Sequence, residues 1–166
     1  MSDPKTCWPT AMVNPPEDDL VHLPGPVLVL GPAYSGKSEF ATKLVAAERA
    51  TTVIGTAAAA TLAASSGLAS RVQQLQSSRP SHWQQHHLQG SLTEQLLATT
   101  TPQVMVDSLN LWVGNLIADA TRSYNEEDIS SHLWSEFNAL ARQLEATQSD
   151  QRLVLVSGEA GSGVPP

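Results

Sequence analysis

The sequence predicts an α/β domain, a parallel sheet with helices on both of its faces. Three observations lead there. Short runs of apolar or β-branched residues recur at 27–30, 51–56, 104–106 and 153–156, without the polar alternation of a strand that meets water on one side. Between them lie segments of helical period, so strands and helices alternate along the chain. Each run also ends on glycine or a polar residue, at Gly31, Thr56, Asp107 and Ser157-Gly158. That carboxyl edge is where open α/β sheets bind ligands.

The elements follow in order. Residues 1–24 carry Pro4, Pro9, Pro15, Pro16 and Pro24 with the acidic Glu17, Asp18 and Asp19. Proline at that density removes backbone donors and blocks helix, so this stretch reads as a flexible, proline-rich leader, with a partner-binding arm as the alternative. The folded, kinase-like nucleotide-binding domain is expected over residues 25–166. Strand 27–30 enters a glycine turn, and residues 39–49 place Phe40, Leu44 and Ala47 at helical spacing. Strand 51–56 follows. Residues 57–70 are rich in Ala and Ser, with too few large apolar side chains to anchor a helix firmly. The third strand, 104–106, runs into Asp107. Leu109, Trp112, Val113, Leu116 and Ile117 mark one helical face. Asn125, with Glu126, Glu127 and Asp128 behind it, starts another helix, its acids near the positive end of the dipole. Ile129, Leu133, Phe137, Leu140 and Leu144 continue that helix on one stripe. Strand 153–156 comes last, and no internal repeat is visible.

Composition narrows the function classes. The 166 residues suffice for one domain with a sizeable core. With 9 Lys+Arg against 16 Asp+Glu, a net charge of -7, the chain has no basic stripe to neutralise a nucleic-acid backbone. No apolar run approaches the ~20 residues that a spanning helix needs, so no membrane span is expected. Residues 1–20 show no basic region followed by an apolar stretch, so no signal peptide is expected either. A single cysteine, Cys7, rules out an internal disulfide and a cysteine-based zinc site, and fits the cytoplasm.

Gly31, Pro32, Ala33, Tyr34, Ser35, Gly36, Lys37 and Ser38 match GxxxxGK[ST] at every fixed position, between a predicted strand and a predicted helix. The chemistry explains the residue types. A loop that wraps a phosphate with backbone N–H groups needs glycine for close approach and unusual dihedrals. Lys37 brings a cation to the β- and γ-phosphates, and Ser38 offers its hydroxyl to Mg²⁺ at the start of a helix. The bland alternative is a glycine-rich strand-to-helix turn. Asp107 ends its strand as V-M-V-D, the pattern of an acid that holds Mg²⁺ directly or through water. Its alternative use is to cap the following helix, as Asp107 or Ser108 would do well. His82, His86 and His87 have no cysteine or carboxylate at ligand spacing and read as a solvated loop rather than a metal site.

Four stretches together resemble the bifunctional adenosylcobinamide kinase/adenosylcobinamide-phosphate guanylyltransferase family of cobalamin biosynthesis. They are GPAYSGKS (31–38), RVQQLQSSRPSHW (71–83), VDSLNLWVGNLI (106–117) and LVSGEAGSGVPP (155–166). The phosphate loop is generic; the RP-x-x-W and D-x-L-x-L-W-x-x-N-L segments are more specific. The resemblance implies a RecA-like P-loop sheet and a homo-oligomer, commonly a trimer. It implies phosphoryl transfer from ATP or GTP to the hydroxyl of the cobinamide aminopropanol arm. A second activity moves GMP from GTP onto that phosphate through a GMP–histidine intermediate. The partners implied are adenosylcobinamide or its phosphate. Carried over, Gly31 to Ser38 would hold the triphosphate, with Gly55, Thr56 and Ala57 beside the nucleotide. Arg79 matches an Arg of the guanylyl-binding segment, Asp107 the acid after the third strand, and Glu159 a Glu after the fourth. Trp112 and Asn115 match a Trp and an Asn of the helix following the third strand, read here as packing residues.

The departures carry equal weight. The family's nucleophilic His stands four residues before its Arg-Pro pair, and here that position is Leu75. Leucine has no lone pair with which to attack an α-phosphate, so covalent GMP transfer at that position is excluded, and the amide of Gln74 is no substitute. Ser65, Ser66 and Gly67 replace acidic residues of the family, and His87 stands where a Glu is expected. The family continues past Pro166 with a further helix and a closing strand, so a sheet incomplete at its C-terminus, with an exposed apolar edge or face, is expected. The leading reading is an adenosylcobinamide kinase with the guanylyl activity lost. The alternatives are a nucleotide-binding pseudoenzyme or assembly partner without catalysis, and another small-molecule P-loop kinase.

Overall fold

The computed structural model describes residues 25–45, 47–147 and 151–159; the expected leader, residues 1–24, and residues 160–166 lie outside them. Strands β1 (Val27–Gly31), β2 (Thr51–Gly55), β3 (Gln84–His87), β4 (Gln103–Asp107) and β5 (Arg152–Gly158) form one sheet in the order β1-β5-β4-β2-β3. Every pairing is parallel. Helices α1 (Lys37–Lys43), α2 (Ala59–Ala64), α3 (Ser66–Ser78), α4 (Leu92–Ala98), α5 (Leu109–Ser123) and α6 (Glu126–Ala146) connect them. This is the P-loop α/β architecture that the sequence predicts.

The apolar runs explain which strands are central. The side chains of residues 153–156 in β5, 104–106 in β4 and 51–54 in β2 are buried on both sides, as continuous apolar or β-branched strands must be. One face of the sheet packs Val29, Val53, Met105, Val154 and Val156 against Ala41, Leu44 and Val45 at α1, with Trp83. The other packs Ile54, Val104, Val106, Leu153 and Leu155 against Leu92 and Leu96 of α4, Trp112 of α5 and Leu140 of α6. Residues 27–30, expected from their apolar run to be buried on both faces, form edge strand β1 instead, where Leu28 and Leu30 stay 51% and 58% exposed because no described strand pairs with its outer side.

Topology creates the crevice. The connection from β1 to β2 passes over β5 and β4, so α1 leaves β1 toward one face while α5 leaves β4 toward the other. Helices that diverge from β1 and β4, on either side of β5, leave a crevice for a ligand at the carboxyl edge. The strand ends are level there, with Gly31 beside Gly158, and Gly55 beside both Asp107 and His87.

The structure differs from the sequence reading at several further places. The first helix spans Lys37–Lys43 rather than 39–49; Leu44 and Val45 keep the apolar period only because the turn that holds them is also buried. The Ala/Ser-rich stretch forms α2 and the start of α3, in which no residue is fully buried. Alanine's helix propensity suffices there, with Ser65 capping α3 by accepting a hydrogen bond from the Leu68 N–H at 3.3 Å. A fifth strand, β3, has the sequence QQHH and every residue exposed, so no apolar pattern marks it; it exists by pairing with β2. The seven-residue helix α4 was also unmarked. On α5, Ile117 is 47% exposed and does not share the buried face of Trp112.

Candidate functional site

The loop after β1 is shaped by its glycines. A Cβ on Gly31 would come within 2.9 Å of Ser35 Oγ, so a side chain there would force the Ser35 hydroxyl aside. Gly36 has φ 83°, which favours glycine, and Tyr34, at φ 62°, also takes the left-handed conformation. A non-glycine residue pays about 1–2 kcal/mol for that conformation. The ammonium of Lys37 is drawn into the loop, donating to the Pro32 carbonyl at 2.5 Å. A phosphate oxygen would compete for that donor. Beyond the strand ends, the Glu159 N–H donates to the Gly31 carbonyl at 3.0 Å, which sets Glu159 beside the loop.

Asp107, the last residue of β4, faces Ser38 across the crevice, and the Ser38 hydroxyl donates to Asp107 Oδ1 at 3.1 Å. A hydroxyl and a carboxylate brought this close form a pair of hard oxygen donors, the chemistry that suits Mg²⁺. The residues present therefore fit the ion. Helix capping is not the use these side chains are put to. Ser108 occupies the N-cap of α5 without a side-chain cap bond, and the Asp107 carboxylate turns into the crevice.

Asp107 has a second partner. Arg79, at the C-cap of α3, donates from its guanidinium to Asp107 Oδ2 at 3.1 Å, with the two side chains 5% and 16% exposed. Burial pulls the Arg79 pKa below its ordinary value, while the charge of Asp107 and the hydrogen bond to it push back upward. It remains a cation at any physiological pH. Gln85 of β3 accepts from the same guanidinium at 3.3 Å and donates onward to the Gln76 carbonyl at 3.1 Å.

A cavity of about 600 Å³ lies over this edge of the sheet. Of the residues foreseen, Ala33, Tyr34, Lys37 and Ser38 line it from the loop, and Gly55, Ala57, Arg79, Asp107 and Glu159 from elsewhere. Gly31, Pro32, Ser35 and Gly36 shape the loop without lining the cavity. Thr56 is fully buried behind it. Its hydroxyl donates to the Ser108 carbonyl at 2.6 Å and accepts from the Ser108 N–H at 2.9 Å, while Asn115 donates to the Thr56 carbonyl at 2.8 Å. Thr56 thus braces the turn that carries Asp107. Thr56→Val keeps the shape but leaves the buried Ser108 N–H without its acceptor, at about 1–3 kcal/mol, while the Ser108 carbonyl keeps the Trp112 N–H at 3.2 Å. A melting temperature several degrees lower is expected, and an unchanged melt would refute the bracing role.

Trp112 packs in the core, edge-to-face with Phe137 at 5.7 Å between ring centroids. Further residues line the cavity as well. From α3 come Leu68, Val72 and Leu75, the last where the resembling family carries its nucleophile. Arg71 of α3 lies over the Tyr34 ring, 5.0 Å from its centroid, and ties that helix to the loop. His86 and His87 reach the cavity from β3, and Asn110 of α5 accepts from the Gly158 N–H at 3.0 Å. The QQHH run carries no signal for this placement, and Asn110 stands at a variable position of its motif.

The family model for cobinamide kinase / cobinamide phosphate guanyltransferase matches residues 27–166. No curated protein gives a match to the chain.

Proposed function

The chain belongs to the cobinamide kinase / cobinamide phosphate guanyltransferase family, an enzyme family of cobalamin biosynthesis, and from that premise we propose that it is an adenosylcobinamide kinase that has lost guanylyl transfer. One observation carries the kinase half. Lys37, Ser38 and Asp107 converge on one cavity at the sheet edge, each with a role in phosphoryl transfer.

Phosphoryl transfer asks a protein mostly for positioning and charge neutralisation. The loop amides and Lys37 would hold the β- and γ-phosphates of ATP or GTP. Ser38 and Asp107 would hold Mg²⁺, which supplies positive charge against the phosphate oxygens. The aminopropanol hydroxyl oxygen forms a bond to the γ-phosphorus, the bond to the β–γ bridging oxygen breaks, and the hydroxyl proton is released. ADP or GDP leaves. No group on the protein becomes covalently modified in this step, so Leu75 does not block it. The loss of guanylyl transfer rests on Leu75, whose aliphatic side chain faces the cavity where an imidazole would be required. Homotrimeric assembly and a cytoplasmic setting belong to the same reading through the family; among the described residues no helix is long and apolar enough to cross a membrane.

The test is incubation of the purified protein with labelled ATP or GTP, with and without adenosylcobinamide. Label in adenosylcobinamide phosphate is the expected result. Nucleotide binding without transfer would replace the kinase by the non-catalytic alternative.

A further inference from the structure

Arg79 stands in the way of a metal at Ser38 and Asp107. The two oxygens of the Asp107 carboxylate are divided, Oδ1 to the Ser38 hydroxyl and Oδ2 to the Arg79 guanidinium, both at 3.1 Å. Arg79 is not a loose surface cation. It is 5% exposed, Gln85 holds it at 3.3 Å, and the Gln76 carbonyl holds Gln85 in turn. Its charge cannot be titrated away.

A divalent ion that joined Ser38 and Asp107 would therefore enter beside a fixed positive charge, and toward a carboxylate already neutralised. Repulsion between such charges is several times stronger in a partly desolvated site than in water. Lys37, on the same cavity, adds a second cation of the same sign. A triphosphate reverses this balance by bringing several negative charges to the same place. Arg79 also keeps one donor in reserve, since its Nε has no hydrogen-bond partner among the described residues.

We propose that Arg79 makes metal binding at Ser38–Asp107 conditional on the triphosphate, so that the ion is taken up with the nucleotide and not ahead of it. This rests on the nucleotide-binding reading above. Arg79 acts here through Asp107, as a positioning and charge-setting residue.

Mn²⁺ is the probe, titrated into the full chain without nucleotide and followed by electron paramagnetic resonance. The wild type should bind it weakly, and Arg79→Met should bind it about tenfold tighter or more, because one cation has left the site. Arg79→Lys, which keeps the charge, should stay near the wild type. A merely structural arginine would lower the melting temperature on substitution without raising Mn²⁺ affinity. The proposal fails if Arg79→Met binds Mn²⁺ no tighter than the wild type, or if Arg79→Lys gains as much as the Met variant. Should the Met variant not fold, the wild type decides. Nucleotide-free protein that takes up Mn²⁺ as tightly as protein saturated with a non-hydrolysable triphosphate overturns the proposal. Failure of the nucleotide reading shows separately, as the absence of any thermal shift with Mg-ATP or Mg-GTP.

Discussion

Lys37→Ala is expected to abolish triphosphate binding while the protein stays folded. Among the described residues the ammonium hydrogen-bonds to the Pro32 carbonyl of its own loop, and Lys37 belongs to neither core cluster. Nothing in the interior depends on it. In the bound state it would make charge-assisted hydrogen bonds to two phosphates. At roughly 1.5–3 kcal/mol each, their loss weakens binding by about a hundredfold to ten-thousandfold. Thermal shifts with Mg-ATP and Mg-GTP measure it directly. The wild type should be stabilised by at least one nucleotide and the variant by neither, with the ligand-free melting temperatures nearly equal. An unchanged ligand-induced shift in the variant would remove the phosphate-loop assignment.

The second large effect is an absence: no acid-labile GMP adduct should form on this protein. Guanylyl transfer through a covalent intermediate needs a nucleophilic nitrogen, and the position that should bear it carries Leu75. Phosphoryl transfer does not pass through that residue. The two activities should therefore separate, with adenosylcobinamide phosphate formed and GDP-cobinamide not. GTP labelled in its α-phosphate, followed by a denaturing gel and intact mass, decides the matter. The structure names the residues to watch. His86 and His87 line the same cavity as Leu75, so a GMP adduct on either would reveal a relocated nucleophile and overturn the loss. Leu75→His is the reciprocal experiment. It is expected not to restore labelling, because Ser65 and Gly67, which also line the cavity, and His87 depart from the family as well.

The central part of this protein was legible because it follows rules that act along the chain. A strand buried on both faces must be apolar or β-branched throughout, which marks residues 51–54, 104–106 and 153–156 without help from the rest of the molecule. A loop that wraps phosphate needs glycine at set spacings followed by Lys37 and Ser38, and that pattern is complete in eight consecutive residues. Asn125 ahead of three acids marks a helix start for equally local reasons, and its side chain does accept from the Asp128 N–H at 3.0 Å.

What the tertiary structure alone decided are relations between distant segments. β3 is an exposed QQHH run whose strand character comes wholly from the neighbouring β2. Thr56 looks like a nucleotide contact by position, yet it lies behind the cavity wall and serves Ser108, 52 residues away. Arg79 and Asp107 each carried a site role from the sequence, but nothing in their 28-residue separation says that one neutralises the other. Periodicity and motif spacing report which side of its own element a residue faces. Which charge stands opposite is set by strand order, and β5, the last of the described strands in sequence, fills the sheet between the phosphate-loop strand and the strand of Asp107.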